Sequence, residues 1–316
     1  FQDRIHQTLR KKSNNFMVSI RILVVLFFAM VLTKTANSQE EKRAKKVSVL
    51  PVPAIGYSPE TKTYLGAVTL FTFNNLTDII KFSEQHNQTN IYFICVPTPS
   101  DTEGQCNTSI VESLVKTLNN LVTKKSIVII KSTVQPGTTR RFNEMIKSTN
   151  TLLDLVFCPE FLTEKNFKND MYNADFVLLG FNHLENKELL NTTSDAMRLL
   201  YKHKTVDVYH RSYEECEIFK YTINVYLSVK VWYFNEIYEL CGKFGIDYSQ
   251  FRQDLLPLEP RIGMSHTIVP GDHGRGFSGS CLPKETRGMK FLQGSLGIPN
   301  KVLDEILKRN SQLRNE

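Results

Sequence analysis

Apolar and polar positions change rhythm along this chain. From residue 91 onward, short continuous apolar runs alternate with longer amphipathic stretches. IYFICV (91–96), SIVIIK (126–131), LDLVFC (153–158) and DFVLLGF (175–181) have the length and composition of buried strands, and KTVDVYH (204–210) reads as another. Between the first two, TSIVESLVKTLNNLV (108–122) sets Val111, Leu114, Val115, Leu118 and Leu121 on one helical face, with Ser109 and Glu112 at capping-box spacing. Strands alternating with helices predict an α/β fold with a partial, doubly wound, mostly parallel sheet. One long helix follows over 213–244. Ser212 and Glu215 form a second capping-box pair, and Gly245 supplies the stop. Phe219, Ile223, Tyr226, Tyr233, Ile237 and Leu240 make its apolar stripe, so it is expected to link domains or line a dimer interface. PKETRGMKFL, with Pro283 in its first turn, and KVLDEILKRN read as further helices.

The pattern before residue 76 is different. The first residue is Phe and the first methionine is Met17, so the start reads as read-through or a fragment. Arg21 precedes the apolar run ILVVLFFAMVL (22–32), and Ala36 and Ser38 follow as a small-x-small pair; residues 17–38 read as a secretory signal peptide. Residues 47–73 alternate like strands about a turn at Ser58-Pro59-Glu60. This stretch resembles the opening strands of bacterial outer-membrane barrel proteins of the surface-antigen type. The expected organisation is a leader (1–46), a foreign hairpin-like segment (47–75), the C-terminal part of a sheet domain (76–211) and a helical domain (212–316).

Charge sharpens that division. Residues 1–46 hold ten Lys/Arg against three Asp/Glu, and the whole chain carries +7, so the body is balanced and is not expected to bind nucleic acid. The six cysteines form no C-x-x-C pair, and the spacing of His266, His273 and Cys281 fits no common ligand pattern, so no metal is expected.

Candidate chemistry gathers just after the strands. VPTP (96–99), KSTVQPGTT (131–139) and CPEFLTE (158–164) each follow an apolar run, and in an open α/β sheet ligands bind beyond the carboxyl ends of the strands. Taken singly, VPTP and PGTT read equally well as turns. Glu160, beside Phe161 and Leu162, is a candidate base with a raised pKa, or simply part of a solvated turn. On the long helix Glu217, Lys220 and Asn224 share a face; Lys220 and Asn224 are suited to holding an oxyanion, the plainer alternative being a surface Glu–Lys pair. GRGFSGSCLPKE (274–285) spells G-x-G-x-x-G, the signature of a dinucleotide loop. Pro270 and Gly271 break any strand before it, however, and Pro283 follows. It reads instead as a cysteine loop. Cys281 lies just before a helix start, where the dipole and Lys284 favour thiolate, with glycines that admit a substrate and Glu285 able to position a water.

VPTP, KSTVxPGTT, PEFLTE, E-x-F-K-Y-x-x-N-x-Y, PRIGMSH and GFSGSCLPKE, taken in order, resemble the UDP-glucose dehydrogenase family, within the UDP-glucose/GDP-mannose dehydrogenases, over about residues 76–316. The resemblance implies two successive NAD-dependent oxidations of UDP-glucose to the uronate through a cysteine thiohemiacetal and thioester. It implies Cys281 as nucleophile, Lys220 and Asn224 on the oxyanion, Glu160 as base for hydrolysis, and Thr133 with Glu285 ordering the water. Thr98, Thr133 and Glu164 would border the nicotinamide. Phe161, Leu162, Arg261 and Phe277 would join Lys220 and Asn224 at the substrate, with Arg261 reaching across a homodimer built on the long helix. UDP-N-acetylmannosamine and GDP-mannose dehydrogenases are alternative readings, as is an exported or outer-membrane-associated protein with an inert dehydrogenase-like segment. The enzyme part is expected to be cytoplasmic, with export or membrane association only if the leader is genuine. Four departures stand out: Glu285 for the family's Asp, Ser278 for a glycine, Cys158 for Asn before Pro-Glu, and Ala174-Asp175-Phe176 for Pro-Asp-Arg. The first βα units with their G-x-G-x-x-G, and the third, UDP-binding domain, are expected to be missing, so the chain is not expected to turn over alone.

Overall fold

Residues that are apolar without interruption become central strands, because both faces of a parallel sheet are covered. The computed structural model describes residues 22–26, 48–56, 64–72, 90–149, 152–162, 167–201 and 205–315. Strands β1 (Ile22–Leu26), β2 (Ser48–Gly56) and β3 (Tyr64–Thr72) come first. Then β4 (Asn90–Cys95), α1 (Ser109–Leu121), β5 (Ser126–Ile130), α2 (Thr138–Lys147), β6 (Leu153–Phe157), α3 (Phe167–Tyr172), β7 (Phe176–Phe181), α4 (Lys187–Leu200) and β8 (Asp207–Ser212) alternate. Helices α5 (Tyr213–Lys243), α6 (Tyr248–Leu255), α7 (Leu282–Ser295) and α8 (Lys301–Arg314) complete the chain.

The main sheet runs in the order β1-β4-β5-β6-β7-β8. Neighbours are parallel except β6 and β7, which meet antiparallel at the single pair Phe157–Gly180. Alternate strand residues feed two cores. Tyr92, Ile94, Val128, Ile130, Leu155 and Phe157 face α1 and α2, which contribute Val111, Val115, Phe142 and Ile146. Ile91, Phe93, Ile127, Ile129 and Val156 face α4, which contributes Leu189, Leu190, Ala196 and Met197. Each such fully buried aliphatic side chain stabilises the fold by roughly 1.5–3 kcal/mol. Helices therefore cover both faces of a largely parallel sheet.

The apolar run read as the core of an exported leader supplies β1, which pairs in register with β4 from Ile22–Ile91 to Leu26–Cys95. The two readings share a pattern, since a parallel strand, here at the sheet edge, and a signal segment are both short unbroken apolar runs. The hairpin expected over 47–73 is present as a two-stranded antiparallel sheet, β2 with β3, from Ser48–Thr72 to Gly56–Tyr64.

The long helix α5 has 31 residues, about 46 Å at 1.5 Å per residue. Its capping box is formed: Ser212 Oγ accepts from the Glu215 N–H, and Glu215 Oε2 accepts from the Ser212 N–H at 2.8 Å. Gly245, with φ +68°, ends it in the left-handed conformation. The first helix differs from expectation. Its N-cap is Thr108, without a side-chain cap, and the Ser109 N–H donates to Asn107 Oδ1. Glu112 pairs with Lys116 and Arg141 instead of closing a box, because two cations lie within its reach. The start of α5 lies directly on β7, where a Cβ on Gly180 would stand 3.2 Å from Tyr213 Cα and 3.1 Å from Cys216 Sγ. Glycine at this position is what allows the helical region to sit against the sheet.

Candidate active site

The loops after β4 and β5 are joined before they reach any ligand. Ser132 Oγ accepts from the Val96 N–H and donates to the Val96 carbonyl, both at 2.8 Å, and Thr98 Oγ1 donates to the Thr133 carbonyl at 2.7 Å. VPTP and KSTV are thus one hydrogen-bonded unit at the carboxyl edge of the sheet, not two independent turns. Glu217 of α5 reaches the start of α2. Its two oxygens accept from the Gly137 N–H at 2.6 Å and the Thr139 N–H at 2.9 Å. Glu217 is fully buried. Burial pushes its carboxyl up to about 7, against the hydrogen bonds from Thr139 and Gly137. The surface Glu–Lys pair that the sequence allowed is absent at this position.

Farther along α5, Lys220, Ile223, Asn224 and Leu227 line a cavity of about 190 Å³, together with Phe161, Leu162, His266 and the Ser278–Leu282 stretch that carries Cys281. Lys220 is buried, with its ammonium 5.6 Å from the centre of the Phe161 ring. Asn224 Nδ2 donates to Glu285 Oε2 at 2.9 Å. Glu285 has no exposed surface, and its other oxygen is buried without a hydrogen-bond partner among the described residues. Burial pushes its carboxyl up, against the opposing pull of Lys220, Lys284 and the Asn224 hydrogen bond. A buried acceptor left open behind the cavity-lining Asn224 is suited to a water or a reacting group.

Cys281 is partly exposed and is the N-cap of α7, with Sγ 3.5 Å from Ser280 Oγ. No strand leads into its loop, only the isolated bridge Gly271–Gly274, so G-x-G-x-x-G here is not a dinucleotide turn. Lys284 turns toward the sheet and donates to Thr98 Oγ1 at 3.4 Å, and Gln135 Nε2 donates to the Gly288 carbonyl at 3.2 Å. Helix α7 is therefore tied to both sheet-edge loops.

Several expected site residues lie elsewhere. Glu160 lines an adjoining cavity of about 270 Å³ that shares Phe161 and Leu162 with the first. It is not a carboxylate in apolar surroundings: Lys131 Nζ stands 2.8 Å from its Oε2, and the same ammonium is 3.5 Å from Cys158 Sγ. Burial works to lower the pKa of Lys131, but Cys158 and Glu160 outweigh it and the net direction is upward. Arg261 faces solvent and pairs with Glu259 at 2.6 Å, while Lys230 holds the backbone of the same loop through the Ile262 and Gly263 carbonyls. Phe277 does not line the cavity; it is buried with Val225, Leu303 and Ile306, because an aromatic ring next to a glycine loop is better sheltered in the core beneath it. Thr98 and Thr133 sit at the sheet edge, Thr98 buried and Thr133 partly so. Glu164 lies outside the described residues. Reading the sequence missed His266 as part of the thiol's cavity. Its φ of +63° in a non-glycine residue is a feature no local pattern announces. No group of metal-ligating side chains occurs among the described residues.

Comparison with known proteins adds the following. Residues 63–204 match the NAD binding domain of the UDP-glucose/GDP-mannose dehydrogenase family, and residues 214–312 match the central domain of that family. The first match begins just ahead of β3, and nothing supports the barrel-like resemblance of residues 47–73. A UDP-glucose 6-dehydrogenase of Rickettsia bellii is 27% identical over 73% of this chain and 51% of its own length. A GDP-mannose 6-dehydrogenase of Pseudomonas putida is 27% identical over 74% of this chain and 53% of its own. Among solved structures, a UDP-glucose dehydrogenase from Pyrobaculum islandicum superposes with a TM-score of 0.62 at 24% identity, covering 76% of this chain and 53% of that one, a likeness of fold. The chain spans about half the length of these two curated relatives.

Proposed function

Because this chain belongs to the UDP-glucose/GDP-mannose dehydrogenase family, we propose that its thiol cavity oxidises the primary alcohol of a sugar nucleotide, UDP-glucose, to the carboxylate in two steps. The observation that carries this reading is the grouping of Cys281, Lys220 and Asn224 around one cavity, with Asn224 bound to the buried Glu285. NAD would be held at the carboxyl edge of β4 and β5, where Thr98 and the Thr133 carbonyl form a bonded rim touching Lys284 of the cysteine helix. Bound there, it supplies the hydride acceptor for both oxidations.

The protein's own work is done by four side chains. Cys281 Sγ bonds to the aldehyde carbon and places negative charge on its oxygen; the Lys220 ammonium and the Asn224 amide are the donors available to that oxygen, in a site where low polarity strengthens both. Loss of a second hydride from that carbon to the acceptor re-forms the carbonyl and leaves the carbon on the sulfur as a thioester. Water attacks that carbon, the C–S bond breaks, and the thiolate leaves. Glu285 accepts the proton of the attacking water, with its open oxygen as the acceptor and its basicity raised by burial. Glu160, salt-bridged to Lys131, belongs to the neighbouring cavity and orders the floor shared through Phe161 and Leu162. The exposed residues of α5 support a homodimer: Tyr226, Tyr233 and Leu240 recur every seven residues and are 57%, 51% and 54% exposed.

The test is direct. With NAD and UDP-glucose, UDP-N-acetylmannosamine or GDP-mannose offered separately, UDP-glucose is expected to give the highest rate of NADH formation, with transient mass on Cys281; such turnover would overturn the expectation, read from the sequence, that the chain does not turn over alone. Cys281→Ser is expected to lower uronate formation by roughly 10³-fold or more. Full activity in that variant, or preference for another sugar nucleotide, would overturn the corresponding part of the reading.

A further inference from the structure

Asn310 lies on α8, far in sequence from the thiol, and only 6% of its surface is exposed. Its amide is spent entirely on one residue of the cysteine loop: Oδ1 accepts from the Phe277 N–H at 2.7 Å, and Nδ2 donates to the Phe277 carbonyl at 3.1 Å. This is the two-way pairing that a neighbouring strand would give, supplied by a side chain. The preceding residue explains why glycine stands there. A Cβ on Gly276 would lie 2.5 Å from Asn310 Oδ1, and φ at Gly276 is +76°. That glycine thus makes room for Asn310 and not for a substrate. Asn235 Oδ1 takes the Gly276 N–H at 3.2 Å from the other side. Beyond the thiol, the Leu282 carbonyl accepts from Thr286 Oγ1 at 2.8 Å and from Ser228 Oγ at 3.4 Å. Residues 278–281 are therefore suspended between two clamps, and Cys281 is among them.

We propose that Asn310 is a positioning residue for Cys281: by fixing Phe277 it sets where the thiol stands in the cavity. The inference rests on Cys281 being the nucleophile, but its test needs no turnover. Iodoacetamide alkylation of Cys281, followed peptide by peptide with mass spectrometry, is read beside hydrogen exchange of the 274–285 segment. Asn310→Ala is expected to raise the Cys281 alkylation rate roughly tenfold and to unprotect that segment alone, as loss of paired buried hydrogen bonds opens a local unit. Asn310→Asp, which keeps the acceptor for the Phe277 N–H and loses the donor to its carbonyl, is expected to fall between. Val115→Ala, in the sheet core, is expected to lower the melting temperature while leaving the Cys281 rate unchanged. A folded Asn310→Ala with wild-type alkylation and exchange overturns the proposal; if that variant does not fold, wild-type behaviour of Asn310→Asp does so. Loss of the dehydrogenase reading through absent NADH formation would leave these rates as they are, so the two failures are separable.

Discussion

At Glu217 a carboxyl group is held away from water between the long helix and the start of α2. Its pKa is lifted by burial from 4.5 to about 7. A carboxyl raised in the folded state stabilises the fold fully below its unfolded value, and that contribution is lost as pH rises through the folded value. Glu217→Gln is therefore expected to flatten the fall in stability between about pH 5 and about pH 8 by up to about 3 kcal/mol, while destabilising throughout because its amide NH2 faces a backbone N–H. Urea unfolding of both proteins at the two pH values checks this; parallel pH profiles would show that Glu217 does not titrate with folding. At this scale the sequence was readable only where partners are near. The helical face of Lys220 and Asn224 follows from a one-turn spacing, and the two do line one cavity. The partners of Glu217 lie 78 and 80 residues away, and no periodicity points to them. Phe277 beside the thiol loop fits either a core or a substrate contact, and only its burial decides.

Helix α5 shows the same division one level up. Its capping box, its length and its stop were legible because each is written within a few residues. The box expected at Ser109 was not formed, since Glu112 found Lys116 and Arg141, and Arg141 belongs to another helix. The stripe on α5 also splits. Ile223 faces the thiol cavity, Ile237 joins the Phe234, Cys241 and Tyr248 cluster, and Phe219 sets its ring against Phe161 and Phe176, leaving the heptad-spaced Tyr226, Tyr233 and Leu240 outward. Placing two charges on that seam with Tyr226→Glu and Tyr233→Glu is expected to weaken self-association at least about tenfold, read by sedimentation over a concentration series. Unchanged sedimentation would remove the seam as the interface.

For the whole molecule, the strands and their mostly parallel sheet were legible from β4 onward, because unbroken apolar runs alternate there with helices; their order comes from the structure alone. The placement of Ile22–Leu26 at the sheet edge was not legible, since its pattern serves a sheet strand and a leader equally. In the structure it is hydrogen-bonded along β4. Deleting residues 1–46 is accordingly expected to bare the β4 edge and to lower solubility and melting temperature. A shortened chain as soluble and stable as the full one would show that β4 does not need this neighbour.

The bonds of Glu217 to Gly137 and Thr139, of Lys284 to Thr98, and of Gln135 to Gly288 also bear on how such a chain can be recombined. A hybrid gene that crosses over near the β8–α5 junction would draw the two ends of every one of these bonds from different parents. The NAD-binding and central segments are therefore poor candidates for exchange as separate cassettes. The loops after β4 and β5 have to be inherited together with α5 and α7, and a library that shuffles them apart should be depleted of folded members.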